Sequence, residues 1–270
     1  MSTVTDSESI PTTYDAPKRA IVAFALNLIA GRQRSFARVG RVMLDANPHP
    51  RRIEGIEHVP GADVFVIVMN HYNRAGLRPY HCAMAISALL AERRPGMPEI
   101  CWAFTSEYRD RGIGPIQIPP ALFRWVFARI ARAYGLVALP RRENLLMSHA
   151  AALRQLLRQL GTRPVGLTPE GLLAADALVE PPDGSGRLLA LLARNGVPVL
   201  PVASWEDGST LVIRFGEPFV LASTDEGMPD EQDRRVRDEV MVAIGRLLPR
   251  RYWGAYHDRI AGSRGVAEER

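Results

Sequence analysis

The chain has 270 residues, is 47% hydrophobic, and carries a formal charge of +5 with a pI of about 9.6, which is enough apolar material for one large α/β domain. Its two cysteines, Cys82 and Cys101, stand in no metal or redox spacing; neither a disulfide scaffold nor a zinc site is expected, and a reducing cytoplasm is. The positive charge is almost all arginine, with Lys18 the single lysine, so it fits an anionic lipid surface or a phosphorylated substrate at least as well as nucleic acid, which is not an expected partner.

Residues 1–16 are rich in Ser, Thr, Asp and Pro, lack the pattern of a secretory signal, and are expected to be a flexible tail. Residues 17–46 form an amphipathic helical segment. Its apolar run from Ile21 to Ile29 is well short of the roughly 20 residues that cross a bilayer. Gly31 interrupts it, and Arg32, Arg34, Arg38 and Arg41 then alternate with Phe36, Val39, Val42 and Met43. Such a basic helix either packs on the domain or lies on a membrane surface.

The α/β domain is expected over 47–250, with a short strand at Arg51–Ile56 and then the run Val64–Gly76, VFVIVMNHYNRAG. Its apolar, largely β-branched half reads as a strand buried on both faces. The strand stops at Asn70 and His71, and in α/β folds ligand crevices open at the carboxyl ends of strands. A helix over Leu77–Ala91, a strand over Ile100–Phe104, an apolar helix from Leu122 to Arg132 with interspersed arginine, and a strand over Leu136–Leu139 follow. Next come a helix over Asn144–Leu160 closed by Gly161, a strand at Val165–Thr168 ending in Pro169, Glu170 and Gly171, and a helix over Leu188–Arg194. The strand pair Val197–Ser204 and Thr210–Phe215, a helix from about Asp230 to Leu248 and a polar tail over 251–270 complete the chain. Alternating strands and helices predict an α/β fold, a mixed, largely parallel sheet flanked by helices.

Four stretches in order, RIEGIEHVPGADVFVIVMNH, GLVALPR, LTPEGLL and NGVPVLPVA, resemble the four blocks of the glycerolipid acyltransferase family. The resemblance spans about Ile53–Val220 and implies a single acyltransferase-like domain. It also implies transfer of an acyl group from a thioester of coenzyme A or acyl carrier protein to a lipid hydroxyl, with no bound cofactor or metal. A peripheral position at the inner membrane face goes with that chemistry. In the family's first block a histidine takes the hydroxyl proton and an aspartate five residues on holds its ring. His71 stands at the histidine position, with Asn70, Asn73 and Arg74 beside it as substrate-binding candidates. Gly76 stands where the aspartate belongs. An acid elsewhere (Glu107, Asp110 or Glu170), Asn73 or a backbone carbonyl could orient the ring, or the chain could be a silent relative that binds lipid or acyl groups.

By position Arg141, with Arg142 beside it, carries over the second block's phosphate contact. The third block keeps Pro169, Glu170 and Gly171, with Glu170 counted as catalytic and its neighbours as substrate-binding, but Leu172 and Leu173 replace a threonine and an arginine. An apolar pair cannot solvate a phosphate, so a neutral or zwitterionic acceptor is expected. His49, His58, His81, His149 and His257 read as surface or capping residues.

Overall fold

The computed structural model describes residues 13–15, 17–105, 112–113, 116–117, 119–139, 146–171, 177–222 and 228–268. Helices α1 (Lys18–Ala30) and α2 (Phe36–Ala46) are separated at Gly31, which takes the left-handed conformation that closes α1. Strand β1 (Arg51–Glu54) precedes the central strand β2 (Val66–Met69), which is buried at every position. Helix α3 (Pro79–Arg93), strand β3 (Cys101–Thr105) and a two-stranded pair, β4 (Gly112–Ile113) with β5 (Ile116–Gln117), follow. Next are α4 (Pro120–Tyr134), β6 (Val137–Leu139), α5 (Leu146–Leu160), β7 (Val165–Leu167) and α6 (Ser185–Leu192). The chain continues through β8 (Val199–Asp207), β9 (Thr210–Phe215), α7 (Pro229–Leu247) and α8 (His257–Glu268).

The main sheet has the order β1-β9-β8-β2-β7-β3-β6, parallel throughout except for the antiparallel β8–β9 pair. This is the mixed, mostly parallel sheet expected from the alternation of elements. β2 lies at its middle, with Val66 and Ile67 aligned to Val165 and Gly166 on one side and to Val199 and Leu200 on the other. Strands enclosed in this way have no solvent face, so their sequences are continuously apolar rather than alternating. The carboxyl ends of β7, β2 and β8 therefore lie side by side, and they deliver Glu170, His71 and Glu206 to one end of the sheet.

Helix α6 begins at Gly184 without a capping side chain of its own. Asp233 of α7 serves instead, its carboxylate accepting from the N–H groups of Gly184 at 2.9 Å and Arg187 at 2.8 Å. Gly186 allows that approach, because a Cβ there would run into the Asp233 backbone.

Two expectations about the ends need correction. Residues 251–270 are not a polar tail: Trp253, Tyr256 and Ile260 are buried, the Leu178 N–H donates to Tyr252 O at 2.9 Å, and the Ala255 N–H donates to Leu178 O at 3.0 Å. Within 1–16, residues 13–15 are packed. The Tyr14 ring lies 5.1 Å from that of His49 and 5.9 Å from that of His81, and its N–H donates to Gly76 O at 2.9 Å. His81 is accordingly buried rather than on the surface, and its Nδ1 accepts the Arg78 N–H at 3.0 Å at the start of α3.

Candidate functional site

A shallow recess opens at the carboxyl end of β2, lined by Asn70, His71, Tyr72, Glu170, Ala177, Leu178 and Tyr252.

His71 is half-buried. Its Nδ1 is shut off from solvent and has no hydrogen-bond partner among the described residues. Burial pushes its pKa down to about 4, because the imidazolium loses its hydration. The ring is therefore neutral at pH 7 and able to take a proton, but it is a weaker base than an exposed histidine.

Glu170 stands at the end of β7 on a tight turn in which the Gly171 N–H donates to Thr168 O at 3.2 Å. Pro169, buried, occupies the second turn position, where its fixed φ is suited, and Gly171 leaves the turn with φ +62°. The Glu170 carboxylate accepts the His71 main-chain N–H and, at 3.1 Å, the Val179 N–H. Burial raises its pKa to about 7, with those two donors opposing the rise. Glu170 thus meets the backbone of His71 and not the ring, so it does not orient the imidazole.

The other predicted residues are committed elsewhere. Asn70, buried, donates from Nδ2 to Ser204 O at 2.9 Å and accepts the Ser204 N–H on Oδ1 at 2.8 Å, so its amide extends the β2–β8 pairing by one step. Arg74 makes a two-pronged pair with the Glu206 carboxylate. Asn73 accepts from Arg78 Nη1 at 2.9 Å and is not the missing orienting group. Arg141 and Arg142, the alternative acids Glu107 and Asp110, and the third-block residues Leu172 and Leu173 lie outside the described residues. Sequence reasoning passed over Glu206, Tyr72 and Tyr252. The available signal was Glu206 and Asp207 following an apolar strand, the same pattern that marked His71.

Gly76, at the position of the expected acid, has φ +82°, and a Cβ there would stand 3.0 Å from Thr13 Oγ1 and 3.1 Å from Thr13 Cα. Gly76→Asp is therefore expected to destabilise the chain by about 1–2 kcal/mol without improving the site. Urea unfolding alongside an acyl-transfer assay checks this, and faster transfer at unchanged stability would overturn it.

No protein-family model matches the chain, and no curated protein does. Among solved structures, the crystal structure of PlsC, the 1-acyl-sn-glycerophosphate (LPA) acyltransferase of Thermotoga maritima, is similar at 19% identity, covering 76% of this chain and 75% of that one with a TM-score of 0.45.

Proposed function

We propose that the chain is an O-acyltransferase that moves an acyl group from a coenzyme A or acyl carrier protein thioester to a lipid hydroxyl, with His71 receiving the hydroxyl proton. The observation that carries this reading is convergence. Blocks resembling those of glycerolipid acyltransferases, about 100 residues apart in sequence, lie on adjacent strands, and His71 and Glu170 line one recess. In the step proposed, the hydroxyl oxygen attacks the thioester carbonyl carbon as its proton passes to His71. The C–S bond then breaks, and the departing thiolate takes that proton. A hydroxyl has a pKa far above 7, so a neutral imidazole beside it supplies the base. Committing Arg74 to Glu206 fits a neutral or zwitterionic acceptor.

The reaction belongs at a lipid surface. Ile21, Val22, Leu26 and Ile29 of α1 and Leu122 and Trp125 of α4 are exposed. Arg129 reaches from over the Trp125 ring, 5.3 Å from its centre, to the Ile29 carbonyl at 3.5 Å. Among the described residues no helix is long and apolar enough to cross a membrane, so this face would rest in the headgroup region.

A second reading, a silent relative that binds an acyl or lipid group, is favoured by the unpartnered Nδ1 of His71. Incubation with labelled long-chain acyl-CoA or acyl carrier protein, mixed lipid acceptors and anionic vesicles separates the two. Transfer is expected in the native chain, lost in His71→Ala, and undiminished between pH 8 and 5.5 because the ring stays neutral down to about 4. Binding of donor or lipid without transfer would replace the first reading with the second. Protein left in the supernatant when anionic vesicles are sedimented at low salt would remove the membrane from either.

A further inference from the structure

After Met69 the chain leaves the sheet, yet its side chains continue to alternate. Asn70, Tyr72 and Arg74 all turn toward the end of β8: Asn70 to Ser204, and Tyr72 and Arg74 to Glu206. The His71 main-chain N–H turns the other way, to Glu170 at the end of β7. The site histidine is thus strung between two strand ends, with its neighbours on either side pinned to β8 by side chains.

Glu206 is the centre of the β8 anchorage. Its carboxylate, with side-chain exposure of only 8%, takes Nε and Nη2 of Arg74 on its two oxygens, and the Tyr72 hydroxyl donates to it at 3.2 Å. Its main-chain carbonyl accepts the Tyr252 hydroxyl at 2.9 Å and Arg251 Nη2 at 3.3 Å. Tyr252 in turn lines the recess and packs edge-on against Tyr72, with ring centres 5.9 Å apart. One residue therefore holds both the segment carrying His71 and the wall opposite it. A sheltered ion pair adds little stability over apolar residues of the same volume, but it does fix geometry when both partners are fully bonded.

We infer that Glu206 is a positioning residue for the site proposed above: through Arg74, Tyr72 and Tyr252 it holds the main chain around His71 in place, where no carboxylate among the described residues meets the ring Nδ1. The inference rests on the acyl-transfer reading, so its test includes a readout that does not need turnover.

Glu206→Gln keeps the shape and loses the charge. In the folded full-length variant kcat is expected to fall about tenfold to a hundredfold, as for a reacting group displaced by about 1 Å, while KM for the acyl thioester stays within about twofold. The His71 ring signal, followed by NMR titration, is expected to shift its midpoint upward from about 4 as the segment loosens and water reaches the ring. Tyr72→Phe, which removes a single hydroxyl, should move both readouts the same way by less, and it decides the matter if Glu206→Gln does not fold. A folded variant with unchanged kcat and an unchanged His71 midpoint would overturn the inference. If the native chain transfers nothing, the acyl-transfer reading fails on its own, and the titration alone still decides whether Glu206 holds His71.

Discussion

Asn70→Ala is expected to lower the stability of the chain by about 2–4 kcal/mol, although the residue lies beside the site. The amide satisfies both main-chain groups of Ser204, a residue wholly shielded from water at the end of β8. Deleting it leaves one buried N–H and one buried C=O without partners, each costing about 1–3 kcal/mol. Some of that loss returns if water enters from the recess. Asn70→Asp keeps an acceptor for the Ser204 N–H but sets an oxygen against the Ser204 carbonyl, so it should be no milder. Urea unfolding of both variants measures the loss. A ligand-binding role would instead leave stability intact and raise the KM or Kd of the substrate.

Glu170→Gln is expected to change how stability depends on pH. Below about 6.5 unfolded His71 takes a proton, while folded His71 does not until about pH 4, so its contribution to stability falls as the solution is acidified through that window. Glu170 works in the opposite sense. Folded Glu170 holds its proton up to about pH 7 and unfolded glutamate only to about 4.5, so its contribution rises on acidification over nearly the same range. The two trends offset each other in the native chain. Glutamine cannot titrate, so between pH 7 and pH 5 the variant should lose about 2 kcal/mol relative to the native protein. Other groups, including the buried His81, act alike in both and drop out of the comparison. Parallel stability curves would mean that Glu170 ionises at its ordinary pKa.

Features with local causes were legible in the sequence. The run VFVIVM announces β2 because a strand enclosed by two neighbours needs apolar residues at every position, and Asn70–His71 and Pro169–Glu170–Gly171 mark strand ends through abrupt polarity. What the sequence concealed has a common origin. The structural partners of Asn70 and Arg74, polar residues that adjoin His71, lie 134 and 132 residues further along the chain, where no local pattern points to them. Burial of the C-terminal segment was missed because two short turns at Arg250–Tyr252 and Gly254–Tyr256 break the helical period before α8 begins. The role of position 76 was equally hidden, since only the fold brings Thr13 against it.

The placement of β2 between β7 and β8 has a consequence for biogenesis. At about 5–20 residues per second, a ribosome completes β8 on the order of ten seconds after β2. For most of that interval, until β7 emerges, this wholly apolar segment of the nascent polypeptide has neither neighbour to zip against, which makes it a natural target for holdase chaperones and a point at which truncated or stalled translation products would aggregate.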